Sequence, residues 1–203
     1  MTELGLDEDI LIQSAKAGFA EWASCTANHP PAFRGFVAWG ETVRALRDRL
    51  TPNKWRRLNE SNLALVVNQD GTIAISVATG TEQTGKPDVI PQTSSPKGTK
   101  TAGAVQVNGQ GILFPEWAKA LEESLAKGRA TWIFLIYRDK ETREIRCELS
   151  RPISMTADGY VNGWSERIIL KPTPFDGPES LPLPEGGDGP QSPEIVVEIK
   201  RRA

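Results

Sequence analysis

The sequence predicts an α+β fold with a mainly antiparallel sheet, formed by a meander and hairpins. Apolar residues recur at helical spacing in the first 50 residues, whereas short β-branched runs dominate from residue 63 onward. Turn-forming residues, such as the N-Q-D-G string at 68–71, separate neighbouring runs. These patterns predict two N-terminal helices, one mid-chain helix and strands that mostly pair with their neighbours in the chain.

The composition is that of an ordinary globular domain. The 203 residues are 38% hydrophobic and 25% charged, which is enough for one well-buried core. The net charge of −2 gives no overall field that would attract nucleic acid or anionic lipid. No apolar run approaches the roughly 20 residues that cross a bilayer, and the acidic start M-T-E-L-G-L-D-E-D-I does not resemble a signal peptide. We therefore expect a cytoplasmic protein without membrane contact.

Two helices are predicted before the first strand. The first covers residues 7–26, and its apolar stripe consists of Leu11, Ala15, Gly18, Trp22 and Cys25. The prolines of N-H-P-P at 28–31 end it. The second covers residues 37–50, and its inner face consists of Trp39, Val43, Leu46 and Leu50.

Two hairpins and a helix are predicted next. Residues 63–78 are expected to form one hairpin, and residues 102–114 a shorter one that turns at Asn108-Gly109. Pro115 is expected to open the mid-chain helix, whose apolar stripe consists of Trp117, Leu121 and Leu125.

The end of the domain reads as an antiparallel meander. The apolar run at 132–137 predicts a central strand covered on both faces, and the alternating run at 143–149 predicts its partner. A turn at 157–160 leads to a third strand at 167–171.

The chain divides into three predicted parts. Residues 1–171 form a single domain, which contains a long flexible loop at 79–101. Residues 172–194 hold seven prolines and read as an extended linker. Residues 195–203 are predicted to form a strand that docks on a sheet edge, with Ile195, Val197 and Ile199 on its partner-binding face.

A G-x-x-x-x-G-K string lies at 80–86, but it does not predict a nucleotide site. Pro87 occupies the position where a phosphate loop has a hydroxyl for magnesium, and Pro91 and Pro96 prevent the helix that should follow. The loop nevertheless carries T-G-K at 84–86 and P-K-G-T-K-T at 96–101. Its glycines, threonines and lysines are the components of an anion-binding site formed by Lys86, Lys97 and Lys100. The alternative is an ordinary solvated loop.

A second basic stretch covers residues 44–57. Its candidate residues for contact with nucleic acid are Lys54, Arg56 and Arg57, which flank the aromatic ring of Trp55. The alternative is that Trp55 is buried and the basic side chains form a solvated face. A continuous basic surface made by segments 44–57 and 84–101 would favour nucleic-acid binding.

Catalytic and metal sites have little support in the sequence. Cys25 and Cys147 are expected to be reduced thiols, and His29 is expected in a turn. Near the C-terminus, E-I-K at 198–200 matches half of the PD-(D/E)-x-K nuclease pattern. The acid that this pattern requires upstream would be Asp176 or Asp188, which lie in the linker, a poor platform for a metal ligand.

The sequence therefore predicts a non-catalytic binding or adaptor protein with no metal and no cofactor. Another protein is the expected partner, nucleic acid is the alternative, and a metal-dependent nuclease has the least support. No pattern in the sequence favours a particular oligomeric state.

Overall fold

A computed structural model describes residue 1 and residues 4–60, 62–109 and 129–175 of the chain. The described helices are α1 (Glu8–Ser24), α2 (Phe33–Leu50) and α3 (Thr99–Gly109). The described strands are β1 (Arg56–Glu60), β2 (Leu63–Val67), β3 (Ile73–Thr79), β4 (Ala130–Asp139), β5 (Glu144–Met155), β6 (Val161–Ile169) and β7 (Thr173–Pro174). The predicted α+β fold with a mainly antiparallel sheet is confirmed.

The described strands form one sheet in the order β1-β2-β3-β4-β5-β6, and β7 pairs with β5 beside β6. Each described pair is antiparallel except β3 and β4, which run parallel over seven residue pairs from Ile73 and Ala130 to Thr79 and Ile136. Parallel neighbours need a long crossover connection, and α3 lies in that connection. The hairpin at 63–78 and the meander were predicted, but the parallel junction between them was not.

The predicted hairpin at 102–114 is wrong for residues 102–109, which belong to α3. Ala102 and Val105 share the buried side of this helix and pack on the sheet beside Ile133. Asn108 does not form a turn: its side chain bonds the backbone of Thr131 in β4, donating at 2.7 Å and accepting at 3.3 Å. The predicted helix that begins at Pro115 lies outside the described residues.

Several element boundaries also differ from the sequence prediction; β5, for example, ends at Met155 rather than near residue 149. Helix α2 begins at Phe33, four residues earlier than expected. Strand β6 begins at Val161 rather than near residue 167, because its pairing with β5 continues through irregular registers as far as Met155. Bulges of this kind interrupt the alternation that predicts a strand.

Core residues lie on both faces of the sheet. The larger cluster joins side chains of α1 and α2, such as Leu11 and Leu46, to Phe134 and Leu149 of the sheet. A smaller cluster joins α3 to the opposite face. Among the described helices, none combines the length and apolar character required to span a membrane.

Candidate anion-binding cavity

A cavity of about 340 Å³ opens where strands β2 and β3 part. The ladder between these strands holds two residue pairs and ends at Val66 and Ile75. Beyond these pairs the two strands do not pair with each other, and five of their residues line the cavity: Leu63, Ala64, Ser76, Val77 and Ala78. The cavity therefore occupies the place where the ladder would have continued.

Trp39 of α2 stabilises the gap between the strands. Its indole N–H donates to the carbonyl oxygen of Val77 at 3.1 Å, and its ring lines the cavity. A buried carbonyl without a partner is costly. Because Trp39 supplies the donor, Val77 needs no partner in β2.

Small side chains leave the volume unfilled. Ser76 and Ala78 lie two residues apart, so they occupy the same face of β3, and Ala64 of β2 also lines the cavity. The sequence contains this signal in the alternation of small residues within A-I-S-V-A at 74–78. Sequence reasoning missed it because the alternation was used only to predict the strand.

The rim of the cavity is formed by residues 96–101, at the start of α3. Two of the lysines predicted to bind anions, Lys97 and Lys100, belong to this rim. The hydroxyl residues Thr99 and Thr101, which are the threonines of the P-K-G-T-K-T segment, belong to it as well. Backbone N–H groups in the first turn of an α-helix have no partner within the helix, so the rim is rich in donors.

The position of Lys97 is fixed through its backbone. Its N–H donates to the carbonyl oxygen of Gly159 at 2.8 Å, in the turn that precedes β6. Gly159 has φ of +87°, and a Cβ there would lie 3.2 Å from the carbonyl oxygen of Lys97, which favours glycine at this contact. The ammonium group of Lys97 donates to the Ser95 hydroxyl at 3.0 Å. Burial lowers the pKa of Lys97.

The G-x-x-x-x-G-K string contacts a buried carboxylate of the protein itself. The N–H of Gly85 donates at 2.9 Å to the carboxylate of Glu148, which is fully buried. Arg167 binds the same carboxylate through two nitrogens, at 2.7 and 3.0 Å, and donates to the carbonyl oxygens of Lys86 and Val89. We call this group of Gly85, Glu148 and Arg167 the clasp. It joins the segment that follows β3 to strands β5 and β6.

The other predicted anion-binding residues lie away from the cavity. The side chain of Lys86 is exposed, and its carbonyl is bound from β6. Arg56 and Arg57 belong to β1, which is five strands from β6, or roughly 24 Å at the usual strand spacing. Arg56 pairs opposite Val67, so it lies roughly 13 Å along the hairpin from Leu63 at the cavity. Lys54 ends the turn at Thr51–Asn53 with φ of +64°.

The remaining candidate residues are buried, lie in a turn, or fall outside the described part of the chain. Cys25 and Cys147 are buried and unpaired, and burial raises the pKa of the Cys147 thiol. His29 lies in the turn before α2, where its ring accepts the N–H of Thr26. Among the described residues, no group of three acidic, cysteine or histidine side chains is placed to hold a metal ion. The residues of the nuclease pattern fall beyond residue 175.

Comparisons with protein-family models, with curated proteins and with solved structures find no match to this chain. The chemistry of the cavity follows from the residues that form it. Lysine, hydroxyl and apolar side chains make up most of the lining, together with Asn62.

Proposed function

We propose that this protein is a non-catalytic binding protein that holds an anionic ligand in the cavity between β2 and β3. The observation that carries the proposal is the charge of the lining. Lys97 lines the cavity and its ammonium group donates to a neutral hydroxyl, that of Ser95; Lys100 lines the cavity as well, and no aspartate or glutamate is found among the described lining residues. A ligand with negative charge is therefore favoured over a neutral or cationic one.

The rim can bind an anion through several donors at once. Ammonium groups form charge-assisted hydrogen bonds with phosphate or carboxylate oxygens, and these are stronger than bonds between neutral groups. The hydroxyls of Thr99 and Thr101 are additional donors within the same rim. Apolar walls deeper in the cavity reduce competition from water and strengthen these interactions.

The non-catalytic part of the proposal rests on the kind of side chains present. Acid–base and nucleophilic catalysis commonly pair a histidine, cysteine or carboxylate with a second polar group. The described lining offers lysine, threonine, serine and asparagine side chains and none of those three. A lysine can also act as a base or nucleophile, but only in its neutral form. Anion binding uses the charged form, so the lining supports binding rather than turnover.

Nucleic-acid binding has weaker support than a small anionic ligand. Its strongest form required segments 44–57 and 84–101 to share one basic face. Arg56 and Arg57 belong to β1, whereas the backbone carbonyl of Lys86 is bound from β6, at the other end of the strand order. Within segment 44–57, Arg44 forms ion pairs with Glu41 and Asp48, so part of its charge is compensated.

An adaptor role and a cytoplasmic location remain predictions from the sequence. The adaptor role depends on Ile195, Val197 and Ile199, which lie outside the described residues. It is compatible with anion binding, because the cavity and the tail are different parts of the chain.

Titration with inorganic phosphate tests the proposed function. We expect phosphate to shift the amide NMR signals of residues 97–101 at low salt. In the double variant Lys97→Gln/Lys100→Gln, the dissociation constant should rise at least tenfold, because each charge-assisted bond contributes roughly 1.5–3 kcal/mol.

The matched control for this titration is Lys86→Gln/Lys140→Gln, which removes the same charge from exposed positions away from the cavity. This control should bind phosphate as the wild type does. Equal losses in both double variants, or shifts that avoid residues 97–101 in the wild type, would contradict the proposal.

A further inference from the structure

We infer that the ligand is a small organic anion, with a phosphate or carboxylate group at Lys97 and Lys100 and an apolar, ring-sized body between β2 and β3. This inference rests on the proposed function and adds the chemical class of the ligand. Three features of the cavity carry it: its volume, the separation of polar from apolar lining, and the state of the Trp39 indole.

The volume is too large for an inorganic anion alone. A water molecule takes up about 30 Å³ of the liquid, so the cavity of about 340 Å³ corresponds to about eleven waters. A phosphate ion would fill only a part of it. Pockets for small organic ligands begin at about 300 Å³, which is the range in which this cavity falls.

Polar and apolar groups lie on different walls. The charged and hydroxyl side chains of the rim come from the segment at 96–101, whereas the strands contribute mainly Leu63, Ala64, Val77, Ala78 and Ile133. Ala78 and Ile133 are 4% and 2% exposed, so their part of the strand wall is removed from bulk solvent. Water on that wall would lack partners, and an apolar group that displaces it gains affinity.

Trp39 strengthens the apolar character of the interior. Its N–H is engaged with the Val77 carbonyl, so the ring offers a ligand carbon surface rather than a donor. A ligand with polar groups along its whole length would find few partners between the strands. A ligand with one anionic end and one apolar end matches both walls.

Three probes separate the head group from the body: inorganic phosphate, phenyl phosphate and benzoate. We expect phenyl phosphate to bind the wild type at least tenfold more tightly than inorganic phosphate, with NMR shifts at residues 97–101 and at Ala64 and Ala78. Benzoate distinguishes the head groups: binding at the same residues extends the class to carboxylates, and its failure confines the class to phosphates.

The variant Ala64→Leu tests the place of the body. Ala64 is only partly buried, and a larger side chain there should fill the space between the strands without disturbing the rim. We expect the preference of this variant for phenyl phosphate over inorganic phosphate to fall to less than threefold. If its NMR spectrum shows misfolding, Ser76→Val makes the same test from β3.

The outcomes separate this inference from the proposed function. Equal affinity of the wild type for inorganic phosphate and phenyl phosphate would overturn the inference and leave anion binding in place. A retained preference in a folded Ala64→Leu protein would also overturn it, because the body would then lie elsewhere. If neither phosphate nor phenyl phosphate shifts residues 97–101, both the inference and the proposed function fail.

Discussion

Lys97 holds a partly buried ammonium group at the cavity rim, and its surroundings favour loss of the proton. Burial removes the charged form from water and lowers the pKa of this side chain. The neutral Ser95 hydroxyl that accepts its hydrogen bond offers no opposite charge. An anion placed beside the ammonium would favour the charged form, so ligand binding and protonation of Lys97 are linked.

We predict that an anion in the cavity raises the pKa of Lys97 toward its ordinary value. Anion affinity should therefore be highest below the pKa that Lys97 has without ligand, and it should weaken as the pH rises through that pKa.

Without ligand, the pKa of Lys97 is lower in the folded protein than in the unfolded chain. The unfolded chain therefore binds this proton more tightly, and the free energy of unfolding should increase with pH between the lowered pKa and the ordinary one.

Titration of the Lys97 side-chain ε-methylene NMR signal, with and without phenyl phosphate, measures this shift. The Lys97→Gln variant assigns the signal, and the signal of Lys86 outside the cavity controls for general salt effects. Coincident Lys97 titration curves would show that the anion does not bind beside this ammonium.

At the scale of elements, the contact between α1 and α2 depends on one glycine. A Cβ on Gly18 would lie 2.5 Å from the carbonyl oxygen of Ala38, and it would also meet the hydroxyl of Thr42. Ala38 and Thr42 are themselves buried on α2. Because a backbone carbonyl cannot turn aside as a flexible side chain does, the helices would have to move apart to admit a methyl group.

We predict that Gly18→Ala destabilises the protein by about 1–3 kcal/mol, the usual cost of overpacking a well-packed contact. The matched control is Gly40→Ala in α2, where nothing lies within 4 Å of an added Cβ. There, alanine should be neutral or stabilising by up to roughly 1 kcal/mol, since it favours the helix. Denaturant unfolding measures both changes, and equal effects at the two sites would refute the close contact.

Elements with one clear periodicity were predicted, and elements with two were not. Helix α1 and strand β4 each carry a single pattern, and the structure places them close to the predicted ranges. A-G-A-V-Q-V at 102–107 alternates like a strand, yet Ala102 and Val105 are also three residues apart and share the buried face of α3. Packing of that face against the sheet stabilises the helix rather than the strand.

The cavity was predicted only in part, because one of its walls depends on how strands β2 and β3 pair. Lys97 and Lys100 were predicted from the composition and charge of the segment at 96–101. The separation of β2 from β3 depends on a hydrogen bond from Trp39 to Val77, which are 38 residues apart. No local pattern reports that β2 and β3 stop pairing after two residue pairs.

At the scale of the whole molecule, the last described residues contact the first helix. Phe175 packs on Phe19 of α1 with ring centroids 4.2 Å apart, and its N–H donates to the carbonyl of Arg143. The sequence predicts that residues 176–194 link this part to the tail strand, and a flexible coil of that length would span roughly 24 Å. That distance reaches either edge of the described sheet.

We predict that the tail strand completes the protein's own sheet, so truncation after Phe175 should lower the melting temperature by several degrees, the effect of losing one or two kcal/mol. Truncation after Lys171 is the comparison, since it also removes β7 and the contact of Phe175 with Phe19. Calorimetry measures both melting temperatures. An unchanged melting temperature after the first truncation, together with loss of a bound partner protein, would show that the tail binds a partner instead.

The clasp sets an order in which the molecule can assemble. Gly85 lies 63 residues before Glu148, and Lys86 lies 81 residues before Arg167. Contacts between residues so distant form slowly, because a long loop must close first. During synthesis, the lysines of the rim leave the ribosome well before β6 exists to anchor the segment that precedes them. We therefore expect the growing chain to carry the charges of the site long before it can recognise a ligand.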